Sequence, residues 1–288
     1  MTAKHRLTEV ELLAEDGECT CTSGSEEFWR KKEKRIWMAT FLTGNLCLYA
    51  ARSVLPVSVV AISKQYDWSK TDTGIVLSSF FWGYILTQVP GGYLSDHYGG
   101  ETLLLVGTTA WSLLTFCLPE TIWFSHRDAK GPGVFVILSR IATGAFQGFH
   151  YPALTSITVK YLPTSETTFF TSLISSGAIL GCLLVGSLGS VIIEHYGWVY
   201  VFRFFGILGI TWVIFLRYLS TTTISEQTSL VNQQTQKIST TTSLPWATLL
   251  KSRAFWAMLI AQITEDNCFY ILISWLPVYF SENFPQGK

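Results

Sequence analysis

The stretch GIVLSSFFWGYILTQVPGGYLSDHYGGE, from Gly74 to Glu101, decides the fold. Its first part, Gly74 to Leu94, is twenty-one mostly apolar residues, long enough as a helix to cross a hydrocarbon core of about 30 Å. The second part is polar and rich in glycine. Gly91, Gly92, Gly99 and Gly100 allow close backbone approach and positive φ, which predicts a tight reversal between two spans. Asp96 lies within that turn, where a carboxylate can cap the helix that follows. A GGxxxDxxGG pattern directly after a span is more specific than an ordinary glycine-rich loop.

Composition points the same way. Of 288 residues 49% are hydrophobic, 15% aromatic and only 14% charged, more apolar than a soluble core requires. Formal net charge is zero, which gives no electrostatic footprint for a nucleic-acid partner. Cys19, Cys21, Cys47, Cys117, Cys182 and Cys268 are scattered, with neither a disulfide framework nor metal-ligand spacing. The histidines carry no ligand spacing either, and His150 reads as a packing residue or secondary cavity contact. No metal, cofactor or enzymatic constellation is expected.

Apolar segments recur at about Ile36 to Ile62, Thr73 to Leu94, Thr102 to Phe124, Gly133 to Lys160, Thr168 to Ile193, Trp198 to Leu219 and Ala254 to Phe280. They predict an all-α polytopic membrane protein. The expected organisation is a disordered cytoplasmic tail over 1–35, a six-helix transmembrane bundle over 36–219, a polar cytoplasmic linker over 220–253, and a seventh helix over 254–288 that opens a second bundle. Basic residues near the span ends favour a cytoplasmic N-terminus. Arg30, Lys31, Lys32, Lys34, Arg35, Lys160, Arg217, Lys237, Lys251 and Arg253 fall on that side, against Lys64, Lys70, Arg127 and Lys130 opposite. Seven spans would also suit a heptahelical receptor, but the charge bias opposes its outward N-terminus, and no NPxxY closes the seventh span.

Ionisable residues inside spans are costly, about 2.5–3.5 kcal/mol each on insertion scales, and so mark function. Arg52 lies deep in the first span and Arg140 in the fourth. Helical spacing puts Asn45, Tyr49, Arg52 and Pro56 on one face, and Arg140, Gly144, Gln147, Gly148 and Tyr151 on another. Both faces are expected to line a cavity whose guanidiniums suit phosphate or carboxylate oxygens. Glu265 and Asp266 fall within the seventh span, where a carboxylate either pairs with an arginine or is protonated. Gly83, Thr87 and Gly91, and Gly177, Gly181 and Gly189, read as close helix packing. Arg203 is expected to snorkel to an interface.

FFWGYILTQVPGG, the RxxxGxxxG of Arg140, Gly144 and Gly148, the Gly197-Trp198 pair, and FYILISWLPVYF from Phe269 to Phe280 together resemble solute carrier family seventeen. These are the organic anion and phosphate carriers of the major facilitator superfamily. The likeness covers Trp37 to Pro285. GIVLSSFFWGY, the GGE ending at Glu101, FHYPALTS from Phe149 and SWLP from Ser274 are most similar to its vesicular nucleotide branch. The resemblance implies a twelve-helix fold. It also implies voltage-driven uptake of ATP, ADP and GTP into secretory vesicles or lysosomes for exocytotic release, modulated by chloride. Glutamate-carrying relatives have histidine at Leu77, glutamate at Gln147 and arginine at Glu265; proton symporters keep the glutamate at Gln147, and many relatives have asparagine at Val54. A neutral amide at Gln147 cannot cycle a proton near neutral pH, which favours voltage over proton coupling, although Glu265 could restore a proton site. A related organic anion or phosphate symporter is the alternative.

The chain ends at Lys288, just past the seventh span, whereas the resemblance implies five further spans. On that reading this chain alone is expected not to transport, and a full-length carrier is a natural partner. The topology makes its own prediction: single cysteines at Ser23 and Ser229 should react with an impermeant thiol reagent only from the cytosolic side. Reaction only from the opposite side would reverse the orientation.

Overall fold

The computed structural model describes residues 29–126, 131–223 and 250–284, and among these the secondary structure is helical throughout. Helix α1 spans Lys31–Tyr66, α2 Lys70–Tyr98 and α3 Gly100–His126. Helices α4, Gly133–Gly148, and α5, His150–Tyr161, follow. Next come α6, Thr164–Leu184, a π-helical turn at Val185–Gly189, and α7, Ser190–Tyr196. The last two are α8, Trp198–Thr223, and α9, Arg253–Asn283.

Local chemistry sets several ends. The Ser69-Lys70-Thr71-Asp72 sequence forms a reciprocal cap at the start of α2. Ser69 Oγ accepts from Asp72 N at 3.1 Å, and Asp72 Oδ2 accepts from Ser69 N at 3.0 Å. The fourth expected span is broken at Phe149 because Pro152, three residues on, has no N–H to continue the ladder. Gly186, Ser187 and Gly189, three small residues, accompany the π turn in the fifth.

The turn that opened the sequence reading differs from expectation. Helix α2 runs on to Tyr98, so Gly91, Gly92 and Asp96 are helical, and only Gly99 has positive φ, at 85°. Asp96 is an exposed side chain on α2 and does not cap α3; the reversal is made by Gly99 alone, with α3 starting at Gly100. Four glycines were therefore more than one tight turn required. Helix α1 likewise begins five residues ahead of Ile36, with buried Trp29 stacked between Trp37 and Tyr161 at ring distances of 5.4 and 5.1 Å. The rest of the expected tail, with Cys19 and Cys21, lies outside the described residues. So do the linker from residue 224 to 249, with Lys237, and the loop residues Arg127 and Lys130.

Four helical stretches are long and apolar enough by themselves to cross a membrane: Lys31–Tyr66, Gly100–Ser125, Ser165–Tyr196 and Trp198–Thr221. The second and seventh expected spans fall on α2 and α9, which intersperse Gln, Ser, Tyr and Pro with their apolar residues. The outward faces carry Trp82, Leu86 and Val89 on α2 and Ile207 and Ile214 on α8, all exposed. That surface suits a hydrocarbon solvent.

The contacts pair α2 with α4, α1 with α6 and α3 with α8. Small residues make those pairs close. A Cβ on Gly144 would overlap the carbonyl of Phe80, and one on Gly83 would overlap that of Ile141. Helices α2 and α4 therefore meet backbone to backbone. Gly148 faces Thr87 in the same seam, and Gly177 and Gly181 face the α1 carbonyls of Leu42 and Leu46. Gly144 and Gly148 thus belong to a packing seam and not to a cavity wall as expected: on α4 the arginine side and the glycine side diverge.

Helix α9 touches the bundle along one stripe, Tyr270, Ile273, Ser274, Pro277, Val278 and Ser281, at helical spacing. Its first half is mostly exposed. Lys70 Nζ and Glu282 Oε2, 3.0 Å apart, join the start of α2 to the end of α9. A prediction follows from the α2–α4 seam. Gly83→Ala and Gly144→Ala should each lower stability by about 1–3 kcal/mol, read as earlier thermal aggregation in detergent. Gly92→Ala, whose Cβ would meet nothing within 4 Å, should leave it unchanged.

Candidate functional site

The inner faces of α1, α2 and α4 converge on two guanidiniums. Arg52, 7% exposed, lies halfway along α1, and Arg140, 4% exposed, halfway along α4. Neither snorkels. Arg52 is ringed by aromatic faces, with its Cζ 4.7 Å from the ring centre of Tyr49, 5.0 Å from Phe80, 4.8 Å from Tyr84 and 5.7 Å from Tyr270. Such faces are a partial substitute for water around a cation. Arg140 Cζ lies 5.1 Å from the same Phe80 ring. Sharing one ring holds the two charges within about 10 Å of each other, close enough to repel in a low-dielectric interior.

The hydrogen bonds leave donors over. Arg52 Nε donates to Gln147 Oε1 at 3.0 Å and Nη1 to the Tyr270 hydroxyl at 2.6 Å, while Nη2 is buried without an acceptor. Arg140 Nε and Gln147 Nε2 are also buried and unpaired. Among the described residues the ion pairs are Lys34–Glu166, Lys70–Glu282 and Arg203–Glu120, so no carboxylate meets either inner arginine. A buried charge without a counter-charge costs several kcal/mol. An anion entering here would meet three unsatisfied N–H donors and two positive charges.

The flanking polar residues complete the framework. Tyr151 on α5 places its hydroxyl 3.1 Å from that of Tyr49 and 3.3 Å from Asn45 Oδ1, and Asn45 Nδ2 donates to the carbonyl of Ile174 at 2.9 Å. Tyr49, Arg52, Gln147 and Tyr151 therefore come together as the sequence reading expected. His150 is buried beside Tyr151 with both ring nitrogens unpaired. A cavity of about 20 Å³ lies among Arg52, Arg140, Phe80, Tyr270 and Ser274, room for one water molecule. Toward the far end of α2 and α5, Gln88, Gly92, Asp96, Thr155 and Lys160 line a wider groove of about 610 Å³.

One expectation fails. Glu265 and Asp266 are exposed on the first half of α9, where Asp266 Oδ2 accepts from Gln262 Nε2 at 3.4 Å. Neither acid neutralises Arg52 or Arg140, because the stripe by which α9 docks starts only at Tyr270. Arg203 is exposed near the start of α8, reaching outward as expected, and pairs there with Glu120 at 3.0 Å. Sequence reasoning also missed Phe80, Tyr84 and Tyr270. Phe80 and Tyr84 were detectable as an i, i+4 aromatic pair within FFWGY, but nothing local to Tyr270 announced an arginine more than 200 residues away.

This network predicts that Gln147→Leu, which strips Arg52 Nε of its acceptor, should cost about 1–3 kcal/mol. Gln147→Glu, which keeps an acceptor there, should retain most of the stability. Thermal unfolding of purified protein in detergent would measure both.

The family model described as the Major Facilitator Superfamily matches residues 41–285. The chain is 39% identical over 265 residues to the human voltage-gated purine nucleotide uniporter, covering 90% of this chain and 59% of that protein. The rat uniporter is 36% identical over 285 residues, covering 98% and 63%. Sheep sialin is 35% identical over 227 residues, covering 76% and 44%. The chain thus spans about three fifths of the length of the uniporters it matches. With its apolar helices packed as a bundle around two buried cations and the family model matched over most of its length, this chain is a multi-pass membrane protein that belongs to the Major Facilitator Superfamily of transporters.

Proposed function

We propose that this chain forms the substrate-holding first bundle of a voltage-driven carrier of purine nucleotides, with ATP as principal substrate and ADP and GTP as further ones. The observation that carries the reading is the pair of inner arginines, buried and without a carboxylate, with Arg52 Nη2, Arg140 Nε and Gln147 Nε2 lacking acceptors. Their chemistry suits the oxygens of a polyphosphate, which can bridge two guanidiniums as a monocarboxylate cannot. The relatives named as purine nucleotide uniporters support this choice.

Voltage is a sufficient driving force. At about 100 mV, positive on the receiving side, each charge contributes roughly 2.3 kcal/mol, so ~3–4 negative charges give ~7–9 kcal/mol. Gln147, bonded to Arg52 in the position where a proton-carrying acid would sit, gives no protonatable group to that pair. On this reading the N-terminus is cytosolic, the membrane is that of a secretory vesicle or lysosome, and nucleotide taken up is released by exocytosis. Chloride acts as a modulator and the carrier needs no cofactor. A full-length copy of the carrier is the expected partner.

The test uses proteoliposomes holding a chimaera in which residues 41–285 replace the matching segment of the human uniporter. ATP uptake should persist when the pH gradient is collapsed and vanish when voltage is collapsed. Arg140→Ala and Arg140→Lys should each lower uptake by about tenfold or more, since lysine cannot reproduce the planar fork. Undiminished uptake in Arg140→Ala would defeat the assignment, and dependence on the pH gradient would favour an anion–proton symporter.

A further inference from the structure

The shortest hydrogen bond made by Arg52 goes to a neutral group on the last helix. Nη1 donates to the Tyr270 hydroxyl at 2.6 Å, while Nη2 beside it has no acceptor. Tyr270 comes from α9, whereas the rest of the arginine's surroundings come from α1, α2 and α4. Its ring sits edge-on to Phe81 at 5.0 Å. One turn on, Ser274 is the one fully buried residue of α9 among those described. The Tyr270–Ser274 stripe therefore closes the side of the cavity that faces both arginines. With about 20 Å³ left, the space admits one water and no phosphoryl group.

An anion that takes the Nη1 hydrogen now given to Tyr270 must take the place of its hydroxyl, and the roughly 20 Å³ beside it leaves no room for a phosphoryl group while the phenol stays. We infer that Tyr270 sets the affinity of the anion site: its hydroxyl holds the place of a substrate oxygen on Arg52, so that anion binding and withdrawal of α9 from the cavity are one event. The nucleotide form of this inference rests on the proposed function; the displacement itself needs only an anion. The exchange is selective. An anion that reaches Arg52 alone trades one hydrogen bond for another, at the further loss of the α9 contact. One that also satisfies Arg52 Nη2 and Arg140 Nε gains charge-assisted bonds that the phenol cannot offer. A polyphosphate meets that threshold and a small monoanion does not.

Two measurements test it. In the chimaera, Tyr270→Phe keeps the ring and removes the competing hydroxyl, so KM for ATP should fall by about tenfold without a matching rise in maximal rate. An unchanged or raised KM would overturn the inference. Separately, Ser274→Cys is introduced into this chain with its other cysteines replaced by alanine, and maleimide labelling is followed in nanodiscs. Labelling should be slow alone, and several-fold faster with inorganic pyrophosphate or with Tyr270→Phe in the absence of any anion. Equal, slow labelling in all conditions would overturn it even if Tyr270→Phe proved too unstable for uptake assays. Acceleration by pyrophosphate without ATP uptake by the chimaera would leave the role of Tyr270 standing and remove the nucleotide reading.

Discussion

The arrangement of this bundle turns on two guanidiniums buried without a carboxylate between them. A nearly wholly buried guanidinium gives up most of its hydration, and each charge must be accommodated by what the protein puts around it. Arg52 is accommodated by π faces, one amide oxygen and one phenol. Arg140 shares the Phe80 ring and keeps a free Nε. The solution is incomplete, because aromatic faces and neutral acceptors offset only part of a lost hydration shell. That deficit is the observation on which the proposed anion site rests.

Holding the deficit in place requires stiff walls. Helices α2 and α4 meet through glycines on both sides, Gly83 against the Ile141 carbonyl and Gly144 against that of Phe80. Backbone-to-backbone packing leaves little room for sliding, so the residues that alternate with these glycines are fixed too. Phe80 and Tyr84 on α2 and Arg140 and Gln147 on α4 are such residues. Helices α1 and α6 are joined in the same way at Gly177 and Gly181, with Asn45 bonded to the carbonyl of Ile174 as a polar pin. The polar chain from Asn45 through Tyr151 and Tyr49 toward Arg52 therefore runs across helices already locked to one another.

By contrast, α9 is joined by one stripe and an exposed ion pair, Lys70–Glu282, and exposed pairs contribute little to stability. The part of α9 that carries Glu265 and Asp266 is exposed. The acids that looked like counter-ions from their depth in the seventh span are on the wrong stretch of the helix to serve as such.

The sequence by itself determined the solvent of this protein, the helical character of its segments, and which polar residues of the first, fourth and fifth helices come together inside. Apolar runs of spanning length can satisfy their backbone in lipid only as helices, and an arginine deep in such a run is expected to face inward. Arg52, Arg140, Gln147, Tyr49 and Tyr151 were therefore legible from spacing along their own helices. Local rules reached less far at Gly91 to Gly100, where glycine signals both a turn and close packing, and only the neighbouring helix distinguishes the two uses. Tertiary structure alone decided that Gly144 and Gly148 turn to α2 and away from the cavity. It also decided that Phe80 and Tyr84 enclose Arg52, and that Tyr270, not Glu265, is what the seventh helix brings to the site. These depend on how far each helix rotates and where it touches its neighbour, quantities set by side-chain packing between segments distant in sequence, which no periodicity within a single segment encodes.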